Sequence, residues 1–149
     1  MKVLGITGGV GAGKSTILEY LTRAYGARVI QADQVGHHLM EPGQRCYYQI
    51  VETFGSGMLK GDQTIDREKL GKLVFTDKEK LEKLNGIIHP AVKAYIAEEI
   101  EKERNAGKVP FVAVEAALLI EDHYDVICDE IWYIYVDEKT REKRLASSR

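Results

Sequence analysis

Cysteine is nearly absent. Cys46 and Cys128 are the only two in 149 residues, and they lie far apart, outside any CxxC pair. That argues against a disulfide framework and a zinc knuckle, and predicts two reduced thiols in or near a core. Neither sign of charge dominates. Twenty-one Lys and Arg stand against 23 Asp and Glu, a net −2. No global basic surplus points to nucleic acid or an anionic membrane as a partner. Long hydrophobic runs are missing too. The longest, 111–120, is interrupted by Glu115 and is too short to span a bilayer. The opening Met1-Lys2-Val3-Leu4-Gly5-Ile6 lacks the apolar run and cleavage site of a signal peptide, so a cytoplasmic protein is expected. There is no internal repeat, low-complexity run or inter-domain linker. At 44% hydrophobic and 30% charged residues, the composition is that of an ordinary globular protein. The length fits one domain, or one domain with a small insert.

The patterning alternates between strand and helix. Val3-Leu4-Gly5-Ile6-Thr7 reads as a short buried strand. Glycines follow, then a helix with Ile17, Leu18, Leu21, Ala24 and Tyr25 at helical spacing, ended by Gly26. A second strand is expected over 27–32, with Asp33 directly after it. Helices are expected over 34–40 and 44–54, separated by Glu41-Pro42-Gly43. A glycine-rich turn region covers 55–66. Asp66 is placed to cap a helix carrying Leu70, Leu73, Val74 and Phe75. Thr76-Asp77-Lys78-Glu79 matches a capping box ahead of a stripe of Leu81, Leu84, Ile87 and Ile88. Pro90 is expected to break that pattern and start a new helix carrying Ala91, Val92, Tyr95, Ile96 and Ile100, ended by Gly107. Near-continuous apolar runs over 109–115 and 130–136 read as strands buried on both faces of a parallel sheet. A further helix is expected over 138–145. The class is α/β.

One motif carries chemistry. Gly8-Gly9-Val10-Gly11-Ala12-Gly13-Lys14-Ser15 fits G-x-x-x-x-G-K-[ST], and it follows a strand and opens a helix. A triphosphate has to be wrapped by backbone N–H groups, which side chains would obstruct. The helix N-terminus turns its partial positive charge toward the phosphates. Lys14 places a mobile charge on the β- and γ-phosphates, and the Ser15 hydroxyl can ligate Mg²⁺. Thr16 either touches the α-phosphate or fills the first helical turn. With no phosphates bound, Lys14 is expected to face solvent.

Two acids end strands. Glu115 closes the apolar run Val109-Pro110-Phe111-Val112-Ala113-Val114, where a charge is costly unless it meets a cation or several donors. It reads as a residue near Mg²⁺, acting through water, or as a surface glutamate. Asp33 reads as a general base for a hydroxyl proton, or as the N-cap of the helix expected from Gln34. The motif alone leaves several phosphate-loop classes open. A guanine reader of the form Asn-Lys-x-Asp is excluded, since neither Asn85 nor Asn105 lies in one. The helical insert after the second strand is what a kinase uses to hold its acceptor.

Along its whole length the chain resembles the dephospho-coenzyme A kinases. The opening 5–16 looks like theirs, and Ala32-Asp33 stands where the family has Asp-Ala-Asp. Glu41-Pro42-Gly43 is similar to its Pro-Gly turn. Phe54-Gly55, Ile65-Asp66-Arg67, Val74-Phe75 and Leu84-Asn85-x-x-x-His89-Pro90 follow in family order. Gln31 replaces the first Asp of the triplet. Ala117 stands for a proline in the stretch 115–121. Arg144-Leu145 matches a pair on the lid side, and Arg149 lies one residue later than the family's next arginine.

The resemblance implies a phosphate-loop NTPase fold of the nucleoside-monophosphate-kinase type. The core would take 1–33 and 108–149, in three layers around a parallel sheet, and 34–107 would form a helical acceptor-binding insert. It implies ATP-dependent phosphorylation of the ribose 3′-hydroxyl of dephospho-coenzyme A, the last step of coenzyme A synthesis. On that reading Asp33 is the base, Lys14 serves catalysis, and Gly8 through Thr16 hold the nucleotide. Asp33, Arg67 and His89 contact the acceptor, while Ser15 and Glu115 serve Mg²⁺. Outside the resemblance, Arg67 reads as a solvated first-turn residue and His89 as a helix cap. His37, His38 and His123 read as structural or solvated. The rivals are a kinase for another small alcohol or nucleotide, and a nucleotide-binding module that switches shape without catalysis. Family members run well past residue 149, so a fragment is expected, with four parallel strands and an under-covered sheet edge or face.

Overall fold

The computed structural model describes residues 1–8 and 14–134. Four strands form one parallel sheet: β1 (Lys2–Gly8), β2 (Arg28–Gln31), β3 (Phe111–Glu115) and β4 (Glu130–Ile134). Their spatial order is β2-β3-β1-β4. Val3 lies beside Val112, Ile6 beside Glu115 and Ile30 beside Val114, all parallel. The apolar runs foretold this. Ile6, Val112, Ala113 and Val114 have no exposed surface, as a strand covered on both faces requires. Residues 135 and 136 of the expected fourth strand, and the helix expected over 138–145, lie outside the described residues.

The helices are α1 (Lys14–Tyr25), α2 (Ala32–Leu39), α3 (Arg45–Phe54), α4 (Arg67–Phe75) and α5 (Lys78–Ala106). Their residues divide into two compact units. One takes Met1–Ala32 and the chain from Ala97 onward; the other is Asp33–Ile96. In the first unit Leu18 and Leu21 of α1 pack with Leu4, Ile6, Ala27 and Ala113 in one core cluster. Gly26 ends α1 at φ +67, its N–H bonded to the Thr22 carbonyl. Arg28 ties β2 to the last turns of α5, donating at 3.0 Å to both Glu99 and Glu103. No helix among the described residues is long and apolar enough to cross a membrane.

Four local expectations give way. Pro90 does not break the long helix: α5 runs 29 residues through it. One lost backbone hydrogen bond is a small cost against a stripe of Leu84, Val92, Ile96 and Ile100 that is almost fully buried. For the same reason His89 is a half-buried residue inside a helix, not a cap. The capping box is also misplaced. Thr76 closes α4, its hydroxyl donating to the Lys72 and Leu73 carbonyls, while Asp77 accepts the Lys80 N–H at the start of α5. Phe75, expected in the α4 stripe, is 90% exposed, and Leu70 and Val74 alone carry that face inward. Asp66 caps α4 as expected, accepting from the Lys69 N–H at 3.1 Å.

The expectation that the run from 130 is buried on both faces does not hold over its described part, since β4 is the least covered strand. Ile131, Trp132 and Tyr133 are all exposed, and among the described residues β4 pairs with β1 alone. Its start is fixed by Asp129, whose carboxylate accepts the Val3 N–H and whose own N–H donates to the Val3 carbonyl, both at 2.7 Å.

Both cysteines are free thiols. Cys128 is half-buried beneath Gly5, where an added methyl would sit 2.9 Å from its Sγ. Burial pushes this thiol from 9.0 to about 11, and Asp125 and Asp129 add to the shift. A thiol whose pKa is raised by folding stabilises the fold fully below its ordinary pKa. That contribution disappears as pH climbs through the raised value. Stability should therefore fall between pH 9 and about 11 in the wild type. It should fall less in Cys128→Ala, measured by urea unfolding across that range. Parallel curves for the two proteins would show that Cys128 titrates normally.

Candidate active site

In a doubly wound sheet, ligands bind beyond the carboxyl ends of the strands, where successive connections leave in opposite directions. Here the chain goes from β1 out to β2, returns to β3, and crosses to β4 on the far side of β1. The crevice therefore lies at the ends of β1 and β3. β1 ends at Gly8, the first glycine of the motif, and β3 ends at Glu115.

The two strand ends are stitched together. Ala116 N–H donates to the Ile6 carbonyl at 3.2 Å, and the buried Thr7 hydroxyl donates to the Ala117 carbonyl at 3.1 Å. Gly8 has its own reason to be glycine. A Cβ there would sit 2.6 Å from the Ile134 carbonyl oxygen of β4, so a side chain would force β1 and β4 apart just below the loop. Gly9, Val10, Gly11, Ala12 and Gly13 lie outside the described residues.

Lys14 is the first residue of α1, and its Nζ is 3.1 Å from Glu115 Oε1. Only 17% of the lysine side chain and 12% of the glutamate side chain are exposed. The expectation that Lys14 faces solvent is therefore incorrect. A carboxylate at the end of a buried strand needs a cation, and the motif lysine supplies it. Gln31 is the register neighbour of Glu115 on β2. An acid there, as in the family's triplet, would set a second carboxylate beside the first, whereas the amide adds no charge. Ser15 and Thr16 are exposed in the first turn of α1.

The second unit begins with Asp33. It is exposed in the first turn of α2, which starts at Ala32, one residue before it. Asp33 is thus inside the helix and is not its N-cap. It makes no hydrogen bond or ion pair among the described residues. Arg67 is the exposed first residue of α4 and lines a cavity of about 300 Å³ with His37, Met40, Glu41, Pro42, Lys60, Thr64 and Ile65. The lining does not include His89, so the two residues assigned to the acceptor are not brought together there. Two cavity residues were missed by sequence reading. His37 was read as structural or solvated, and Lys60 belongs to no motif.

Residues 2–149 match the family model described as dephospho-CoA kinase. The chain belongs to the dephospho-CoA kinase family. A curated dephospho-CoA kinase from Symbiobacterium thermophilum is 41% identical over 97% of this chain. The chain spans 60% of that relative's length. A crystal structure of TT1252 from Thermus thermophilus superposes with a TM-score of 0.78 at 27% identity, covering 98% of this chain and 71% of that one. A dephospho-CoA kinase from Campylobacter jejuni gives 0.63 at 20% identity, covering 98% and 94%, a likeness of fold. The expected family and the parallel α/β kinase fold are both borne out. The acid at the end of β3 and the motif lysine come together as a pair that the ordered family motifs do not reveal. Nothing in their spacing says that residues 101 positions apart meet.

Proposed function

We propose that this chain carries the nucleotide-binding and acceptor-holding parts of a kinase that transfers the γ-phosphoryl of ATP to the ribose 3′-hydroxyl of dephospho-coenzyme A. One observation carries the reading. In a chain matched throughout to dephospho-CoA kinases, the motif lysine sits at the sheet's crevice against the acid that ends β3. Gly8 through Gly13 supply backbone N–H groups for the phosphates, and Ser15 and Thr16 add hydroxyls at the α1 N-terminus. Lys14 balances charge on the transferred group. Asp33 takes the proton of the acceptor hydroxyl, and Arg67 and His89 hold the acceptor.

Mg²⁺ prefers oxygen ligands and keeps several of its waters. The donors present fit it: an exposed Ser15 hydroxyl and a Glu115 carboxylate within one crevice of the first unit. Ser15 would hold the ion directly and Glu115 through water. When bound, it neutralises phosphate charge. The chain's own contribution is positioning and electrostatics.

The test is ADP release coupled to an optical readout, with dephospho-coenzyme A beside other nucleosides and small alcohols. Turnover confined to dephospho-coenzyme A supports the reading, while turnover on another acceptor alone overturns it. Arg67→Ala should raise KM for the acceptor more than KM for ATP. Equal rises would show that Arg67 acts through folding.

A further inference from the structure

The cavity in the second unit is lined by two cations, Lys60 and Arg67, and neither forms an ion pair among the described residues. Both are held on ordered backbone. Leu59 and Ile65 form an antiparallel bridge, and Lys60 N–H donates to the Thr64 carbonyl at 2.8 Å. The turn between them is closed by Asp62, whose carboxylate accepts the Thr64 N–H at 3.0 Å and its hydroxyl at 2.6 Å. Those bonds hold the Asp62 carboxyl below its usual range, helped by the nearby charge of Lys60. Tyr47, buried in α3, pins the turn from below by donating to the Gln63 carbonyl at 2.6 Å. Arg67 is set by the Asp66 cap and by the Asp66 N–H bond to the Met58 carbonyl.

His37, from the last turn of α2, also lines the cavity. Met40, Pro42 and Ile65 add apolar lining. One acid, Glu41, also lines the cavity, and its Oε2 lies 3.5 Å from His38 Nδ1. At about 300 Å³ the space is at the lower end of ligand pockets. It takes one piece of a ligand as large as dephospho-coenzyme A, not the whole.

Resting on the activity proposed above, we infer that this cavity is a diphosphate clamp. Lys60, Arg67 and His37 hold the bridging diphosphate of the acceptor, and Met40, Pro42 and Ile65 cover the dimethyl-bearing carbon chain next to it. Two exposed cations on one cavity match the two negative charges of a bridging diphosphate, and charge-assisted donors are what such an anion needs. The adenosine end offers no anion for these cations, and neither do the amides farther along the arm.

The test has two parts. The first is steady-state kinetics of Lys60→Ala. KM for dephospho-coenzyme A should rise about tenfold or more, the loss expected for one charge-assisted hydrogen bond. KM for ATP and kcat should hold. Glu41→Gln should lower the acceptor KM, a change of sign that a damaged fold cannot produce.

The second part needs no turnover. Inorganic pyrophosphate is titrated by calorimetry into protein saturated with ADP, so that the phosphate loop is occupied. Wild type should bind it, and Lys60→Ala should bind it about tenfold more weakly. Pyrophosphate that fails to bind wild type, or binds both proteins equally, overturns the clamp. Lys60-dependent pyrophosphate binding without any turnover of dephospho-coenzyme A would instead retain the clamp and overturn the activity.

Discussion

Lys14→Ala should lose phosphoryl transfer by about 10²–10³-fold or more, the scale of removing one preorganised charge donor from a reaction centre. It should also lose stability. The lysine sits 3.1 Å from Glu115 with both side chains mostly buried. Truncating it strands a carboxylate at the end of a buried strand. Breaking fully buried pairs costs about 3–5 kcal/mol, and the residual water contact here reduces that figure. Lost activity in the single variant is therefore ambiguous by itself. The second variant, Lys14→Met with Glu115→Gln, removes both charges and keeps the volume. Its urea midpoint should return toward wild type while its activity stays low. A double variant that regains activity with stability would show that Lys14 acts only as a structural counter-ion. Near wild-type activity in Lys14→Ala would remove the phosphate-loop assignment altogether.

The pair also shows where sequence reading stops. An acid at the end of an apolar run was legible because burying it is costly and demands a partner. Which cation answers was not legible, since that depends on the parallel register of β1 and β3. β1 and β3 were legible for a related reason: covered on both faces, they read as apolar runs, whereas the run at β4 reads the same way and is exposed. Pro90 misled because a local rule was weighed without the burial of Val92, Ile96 and Ile100 that overrides it. Thr76 misled because its hydroxyl had two possible employers, the end of one helix and the start of the next, and the spacing of four residues fits both. Lys60 carried no signal, being one of many lysines. Its place on the same cavity as Arg67 comes with the Leu59–Ile65 bridge, a pairing with no repeated pattern behind it.

Asp33→Asn separates two roles that its position in the sequence left even. As an N-cap, Asp33 would contribute about 0.5–2 kcal/mol, and asparagine would replace it almost without loss. The structure removes that role, since α2 already begins at Ala32 and the Asp33 carboxylate bonds to nothing among the described residues. What remains of a structural effect is its charge in the first turn of α2, worth about 0.3–1 kcal/mol at most. Thermal unfolding of Asp33→Asn should therefore lie close to wild type. The catalytic effect should be far larger. An amide keeps the shape of the carboxylate but cannot take a proton from the acceptor hydroxyl. General-base catalysis is worth about 10²–10⁴-fold, so kcat should fall by that factor while ATP binding, read by calorimetry, holds. If kcat held, the proton would have to leave by another route, and the role of Asp33 would shrink to orienting the acceptor.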